Sequence, residues 1–173
     1  FFADKDDILL KNISSEMGPI KIDEGDLKLK LNPEITVETN FKTNLKYNNK
    51  SINYFNLIKD YNIEKNIINL KAELNNSFFI NFDKTYKVKN YDYKSNGKII
   101  KADLKFKKPK KFFFLNENIS KLSFTNLDFK TSFIPQKNTT NILGKYSINN
   151  DNFLSFKLEN IMDKELLKLK LEA

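Results

Sequence analysis

Glu34-Ile35-Thr36-Val37-Glu38-Thr39-Asn40-Phe41-Lys42-Thr43-Asn44-Leu45-Lys46-Tyr47 is the stretch that decides the fold. Ile35, Val37, Thr39, Phe41, Thr43, Leu45 and Tyr47 alternate with Glu34, Thr36, Glu38, Asn40, Lys42, Asn44 and Lys46. Successive side chains of a strand point to opposite faces, so this is one β-strand, apolar on one side and polar on the other. At about 3.3 Å per residue it runs roughly 45 Å, well beyond the usual strand of about 5–6 residues. A strand that long belongs to an extended, one-sided sheet. What covers the apolar side is then the functional question.

The same alternation recurs on both flanks. Before it, Ile20 and Ile22, a turn at Asp23 to Asp26, and Leu27, Leu29 and Leu31 predict a hairpin that ends at Asn32-Pro33. Residues 4–17 predict a short helix, opened by acidic residues and closed by Gly18, with Ile8, Leu9, Ile13 and Met17 on one side. Ile52, Phe55, Ile58 and Tyr61 predict a second helical piece over 51–61, capped by Ser51. Ile68 to Leu74 and Phe78 to Phe82 read as two strands joined at Asn75-Asn76. Tyr86 to Val88 and Tyr91 to Tyr93 give weaker strands before a turn at Ser95-Asn96-Gly97. Ile100, Ala102, Leu104 and Phe106 mark a strand stopped by Lys107, Lys108, Pro109, Lys110 and Lys111. Leu122 and Phe124, then Leu127, Phe129, Thr131 and Phe133, alternate with a slip of one at Asn126, which requires a bulge or turn there. Strands near 142–148, 153–158 and 166–171 follow, with turns at Asn149 to Asn152 and Met162 to Lys164. The fold class is all-β: a long antiparallel, curved, meander-like sheet, an open groove or taco, with one or two short helices. Residues 1–173 form one β-rich segment, expected to be a fragment of a longer repetitive protein.

Composition narrows the function. The formal charge is +8, but all 30 basic residues are Lys, whereas Arg is the usual bidentate reader of phosphate and guanine. The lysines also alternate with apolar residues along strands, apart from Lys107 to Lys111, so no nucleic-acid partner is expected. Heavy use of Lys, Asn, Ile and Phe fits an A/T-rich genome that replaces Arg by Lys. There is no Cys, His or Trp, which removes disulfides, Cys/His zinc sites, thiol nucleophiles and imidazole catalysis. Four glycines form no phosphate-cradling loop. The carboxylate groups (Asp4, Asp6 and Asp7; Asp23, Glu24 and Asp26; Asp60 and Glu64; Asp163 and Glu165) lack the spacing of a calcium loop and read as solvated turn residues. No enzyme activity, cofactor or metal is expected.

The apolar stripe remains, rich in the 16 Phe and 7 Tyr. Two readings compete for it: the core of a closed β-sandwich, a structural or adhesion module of a surface protein, or an open face lined for acyl chains. The expected lining is Leu29, Ile35, Val37, Phe41, Leu45, Ile68, Leu70, Phe78, Phe82, Leu104, Phe106, Phe124, Phe129 and Phe133. A fragment of an outer-membrane barrel also alternates, but missing Trp girdles and two helical pieces count against it.

The long alternating strands, the Asn/Lys turns, and phrases such as Tyr93 to Leu104 and Gly144 to Ile148 followed by Leu154 to Leu158 resemble AsmA-like proteins, especially the YhdP/TamB-type envelope proteins of Gram-negative bacteria. The resemblance implies a taco-shaped β-groove in the periplasm, anchored in the inner membrane through a segment outside residues 1–173. It implies phospholipid acyl chains as cargo, inner and outer membranes as partners, and a part in envelope integrity. It supplies no catalytic residues.

Overall fold

The computed structural model describes residues 1–48, 67–111, 117–163 and 166–172. Ten strands account for nearly all of them: β1 (Phe2–Ala3), β2 (Asp7–Met17), β3 (Ile20–Lys30), β4 (Ile35–Asn48), β5 (Ile67–Phe82), β6 (Val88–Lys111), β7 (Asn118–Ile134), β8 (Lys137–Ile148), β9 (Leu154–Asp163) and β10 (Leu166–Glu172). They lie side by side in chain order in a single antiparallel sheet, with β1 and β10 at its edges. The sheet is open, not closed into a barrel. At about 4.8 Å between strands, it is roughly 43 Å wide across its ten strands. Packing of any extent occurs only between neighbouring strands, so the described residues form one layer.

The stretch from Glu34 to Tyr47 behaves as its alternation demands. β4 and β5 pair without interruption from Ile35↔Phe82 to Asn48↔Asn69. Because side chains of paired residues share a face, this register carries the apolar phase of β4 directly onto β5.

Elsewhere the ladder slips, and the slips explain where the sequence misleads. Residues 7–17 form a strand rather than a helix. An extra residue at Asn12 (φ 56°) interrupts the two-residue period, so Leu10 and Ile13, three apart, fall on one face. A bulged strand therefore has the spacings of two and three that an amphipathic helix would also show. Asp23 to Asp26 is likewise a bulge at Glu24 (φ 51°) inside β3, not a turn. The slips in β2 and β3 offset one another, so the β2–β3 register is the same on both sides of them. The expected slip at Asn126 is a bulge inside β7 (φ 52°), opposite a matching slip at Ile100 in β6.

Two further expected turns are strand interior. Asn75-Asn76 lies in the middle of β5, and Ser95-Asn96-Gly97 in the middle of β6. Two long strands in mutual register hold these weak strand formers in place, because each backbone group finds its partner in the ladder. Lys107 to Lys111 also lie within β6, with a register shift between Lys105 and Lys110 around Pro109. Among the true breaks are Asn32-Pro33, Asp83 to Lys87 and Asn149 to Phe153. Asp83 Oδ1 accepts from Thr85 N, Thr85 Oγ1 and Lys87 N, which closes the second of these. No helix occurs among the described residues, and the helix expected at 51–61 lies outside them.

Candidate functional site

The registers sort every paired residue onto one of two faces. One face carries, on successive strands, Ile8 and Leu10 (β2), Leu27 and Leu29 (β3), Val37 and Phe41 (β4), Leu74 and Phe78 (β5), Tyr93 and Ile99 (β6), Phe124 and Phe129 (β7), Ile142 and Tyr146 (β8), Phe156 and Leu158 (β9), and Leu169 and Leu171 (β10). Leaving aside the irregular end of β6 beyond Lys105, no Lys, Asp or Glu occupies a paired position on this face. The other face carries the charges, among them same-strand ion pairs such as Lys21–Asp23 at 2.8 Å and Lys157–Glu159 at 2.6 Å.

Of the expected lining residues, Leu29, Ile35, Val37, Phe41, Leu45, Leu70, Phe78, Phe82, Leu104, Phe124, Phe129 and Phe133 all stand on the uncharged face. Phe106 follows Leu104 by two residues, in the same phase. The side chain of Ile68 lies outside the described residues. Among the residues named, only Phe133 is exposed; the others with described side chains are half-buried.

The burial is uneven in a telling way. Along β4 the uncharged side is half-buried to buried while Glu38, Asn40, Lys42 and Lys46 on the other are exposed. With no second layer laid over it among the described residues, that asymmetry is what a sheet curled toward its apolar side produces.

Three adjacent rows run across the strands at the floor of this curl. One is apolar: Ala72, Ile99, Leu127, Gly144 and Phe156, of which Ala72, Leu127 and Phe156 are buried. Phe156 packs edge-on to Tyr146 with ring centres 5.7 Å apart, and lies 5.7 Å from Phe124. The next row is Leu74, Gly97, Phe129, Ile142 and Leu158. Gly97 is required there: its φ is 155°, and a β-carbon would stand 2.1 Å from the Glu73 carbonyl oxygen. Gly144 is held by packing, since a β-carbon would meet Leu127 Cδ2 at 2.5 Å.

The third row is polar: Asn76, Ser95, Thr131, Thr140 and Asn160, one residue on each of β5 to β9. Asn76 Nδ2 donates to Thr43 Oγ1 at 3.0 Å, and Asn76 Oδ1 accepts from Tyr93 OH at 3.0 Å. Thr131 Oγ1 lies 2.8 Å from Thr140 Oγ1 and donates to the Thr139 carbonyl at 2.9 Å. This row is hidden in the sequence because Asn75-Asn76 and Ser95-Asn96-Gly97 have the composition of turns. Its signal is present, since Asn76 and Ser95 stand in phase with Leu74 and Phe78 and with Tyr93 and Gly97.

On the charged face the buried polar groups are of another kind. Asp103, paired with Ser123, which pairs in turn with Ser147, is only 3% exposed. Burial pushes its carboxyl up, but hydrogen bonds from Ser123, Lys101 and Asn69 outweigh that and hold it below its ordinary value. These three residues border a cleft of about 400 Å3 under the β8–β9 connection, lined also by Lys101, Lys121 and Asp151. Asn149 fastens that connection: its Oδ1 accepts from Ser120 N and Ser120 Oγ at 2.8 Å. The cleft's lining carries two lysines and two aspartates, so its formal charge is balanced.

Among the described residues no cluster of His, Cys, Asp or Glu has the arrangement of a metal site, and no helix is long and apolar enough to cross a membrane. What the chain offers is a broad uncharged surface able to take apolar groups without a desolvated charge. Compared with known proteins, the chain matches no family model, and no curated protein or solved structure is significantly similar to it.

Proposed function

We propose that this chain is a segment of a lipid-conducting β-groove, in which acyl chains lie against the uncharged face and head groups stay in water along the rims. The observation that supports it is the absence of any charged side chain from the paired positions of that face across the ten strands, the irregular end of β6 beyond Lys105 aside. A face of this extent in a single layer leaves apolar area that a lipid tail would cover favourably, at about 25 cal/mol per Å2 removed from water. Selectivity among plain acyl chains is expected to be low, because apolar contacts discriminate weakly. The resemblance to AsmA-like envelope proteins fits this reading. With it come the proposals of a periplasmic location, membrane anchoring through parts outside residues 1–173, and phospholipid passage between inner and outer membranes. No reaction is assigned.

The test is purification without detergent, followed by native mass spectrometry and lipid extraction. Bound phospholipid, lost in Val37→Asp and Phe129→Asp variants that keep their β-sheet circular dichroism, supports the groove. A monodisperse, lipid-free protein sinks it and favours the structural or adhesion module, with the apolar face covered by protein.

A further inference from the structure

We propose that the polar row on the floor is a track of hydrogen-bonding sites for a neutral hydroxyl carried by the lipid; the proposal rests on the groove reading above and adds a ligand chemistry to it. Asn76, Ser95, Thr131, Thr140 and Asn160 stand in one register line across β5 to β9. Neighbouring strands are about 4.8 Å apart, so the line is roughly 19 Å long and runs across the strands, along the axis of the curl. On β5 to β7 apolar residues flank it on both sides, Phe78, Tyr93 and Phe133 on one and Leu74 and Phe129 on the other.

A purely internal purpose would leave every member satisfied, because an unpaired buried polar group is costly. Two members are not. Ser95 is 2% exposed, and its Oγ has no hydrogen-bond partner among the described residues. Asn160 Oδ1 is likewise buried and without a partner there. Ser95 sits between two satisfied members, Asn76 and Thr131, so its unpaired hydroxyl is not a fraying of the sheet's edge.

The donor set defines the ligand. Every member is neutral, and outside the end of β6 beyond Lys105 no cation stands at a paired position on this face, so a phosphate or carboxylate would gain no ionic partner on the floor. A hydroxyl group can accept from the Ser95 hydroxyl at one point of the row and donate to Asn160 Oδ1 at another, three strands away, whereas an ester carbonyl only accepts. Spaced one strand apart, the sites let a hydroxyl pass from one partner to the next as the chain slides, with Ser95 and the threonines turning about χ1 to meet it.

The experiment compares stearate with stearate bearing one mid-chain hydroxyl, each displacing a fluorescent fatty acid from the full chain. The unaltered protein is expected to hold the hydroxylated probe at least as tightly as stearate. In Ser95→Ala and in Asn160→Leu, the hydroxylated probe is expected to weaken about tenfold while stearate is unchanged. Neither substitution removes a hydrogen bond made by the atoms in question, and a thermal melt of each variant checks its fold. If the two probes keep the same affinity ratio in all three proteins, the track is overturned and the row serves only to fix strand register. If neither probe binds the unaltered protein, the groove reading falls and this inference with it.

Discussion

The two faces of this sheet are made by alternate residues of the same strands, yet they handle polarity in opposite ways. On the charged face, Asp103 is only 3% exposed and is still an anion, because Ser123, Lys101 and Asn69 surround it with donors. On the uncharged face, the polar groups that reach the floor are amides and hydroxyls only, and Ser95 Oγ is left without a partner among the described residues. Desolvation is the reason for the contrast. A charge tolerates burial when a counter-charge and water lie within reach, while a curled apolar surface supplies neither. The two faces thus differ in electrostatics, although every strand is built from the same few residue types.

The largest effect is expected where both faces rest on the same backbone. Gly97→Val forces a side chain into the Glu73 carbonyl and onto a φ that L-residues avoid, so about 3 kcal/mol or more of stability is expected to be lost, read from the urea midpoint. An unchanged midpoint would mean the β5–β6 ladder is looser than its register implies. Next in size is a charge moved onto the wrong face. Val37→Asp is expected to cost about 2–3 kcal/mol and to abolish lipid retention. Thr36→Asp, one residue away but on the charged face and opposite Lys30, is expected to leave both nearly unchanged. Equal losses for the two would erase the distinction between the faces.

The acid limb of stability tests the charged face by itself. The Asp103 carboxyl is held below its ordinary value of 3.8 in the folded chain. As pH falls, the unfolded chain therefore takes up that proton first, so the contribution is full above about pH 4 and is lost as pH drops through the lower folded value. Asp103→Asn is expected to flatten that limb in melts taken at successive pH values, and an unaltered limb would assign acid sensitivity elsewhere. The smallest effect belongs to the solvent-exposed pair of Lys42 and Glu24, where Lys42→Ala is expected to leave the melting midpoint within error.

Legibility followed regularity. Glu34 to Tyr47 announces β4 because nothing interrupts its alternation, and Ile35, Val37, Phe41 and Leu45 share one face as a consequence. Residues 7–17 misled for a physical reason: one inserted residue at Asn12 turns a period of two into a mixture of two and three, which overlaps a helical period. Asn75-Asn76 and Ser95-Asn96-Gly97 carry the composition of turns, and only their partners in long neighbouring strands make them strand interior. The polar floor is hidden for the same reason, since Asn76 and Ser95 lie in those two stretches.

From its sequence alone this protein was bound to be mainly antiparallel β-structure with one apolar side to its strands, because period-two alternation separates the two kinds of side chain onto opposite faces. The sequence likewise excluded thiol and imidazole chemistry by supplying neither residue. Only the tertiary structure decided that the strands lie in strict chain order in a single layer, that bulges at Asn12, Glu24 and Asn126 keep the apolar residues on one face, and that five polar residues far apart in the chain meet in one row. Register is a relation between strands. No strand contains it, and it is fixed only when the ladders form.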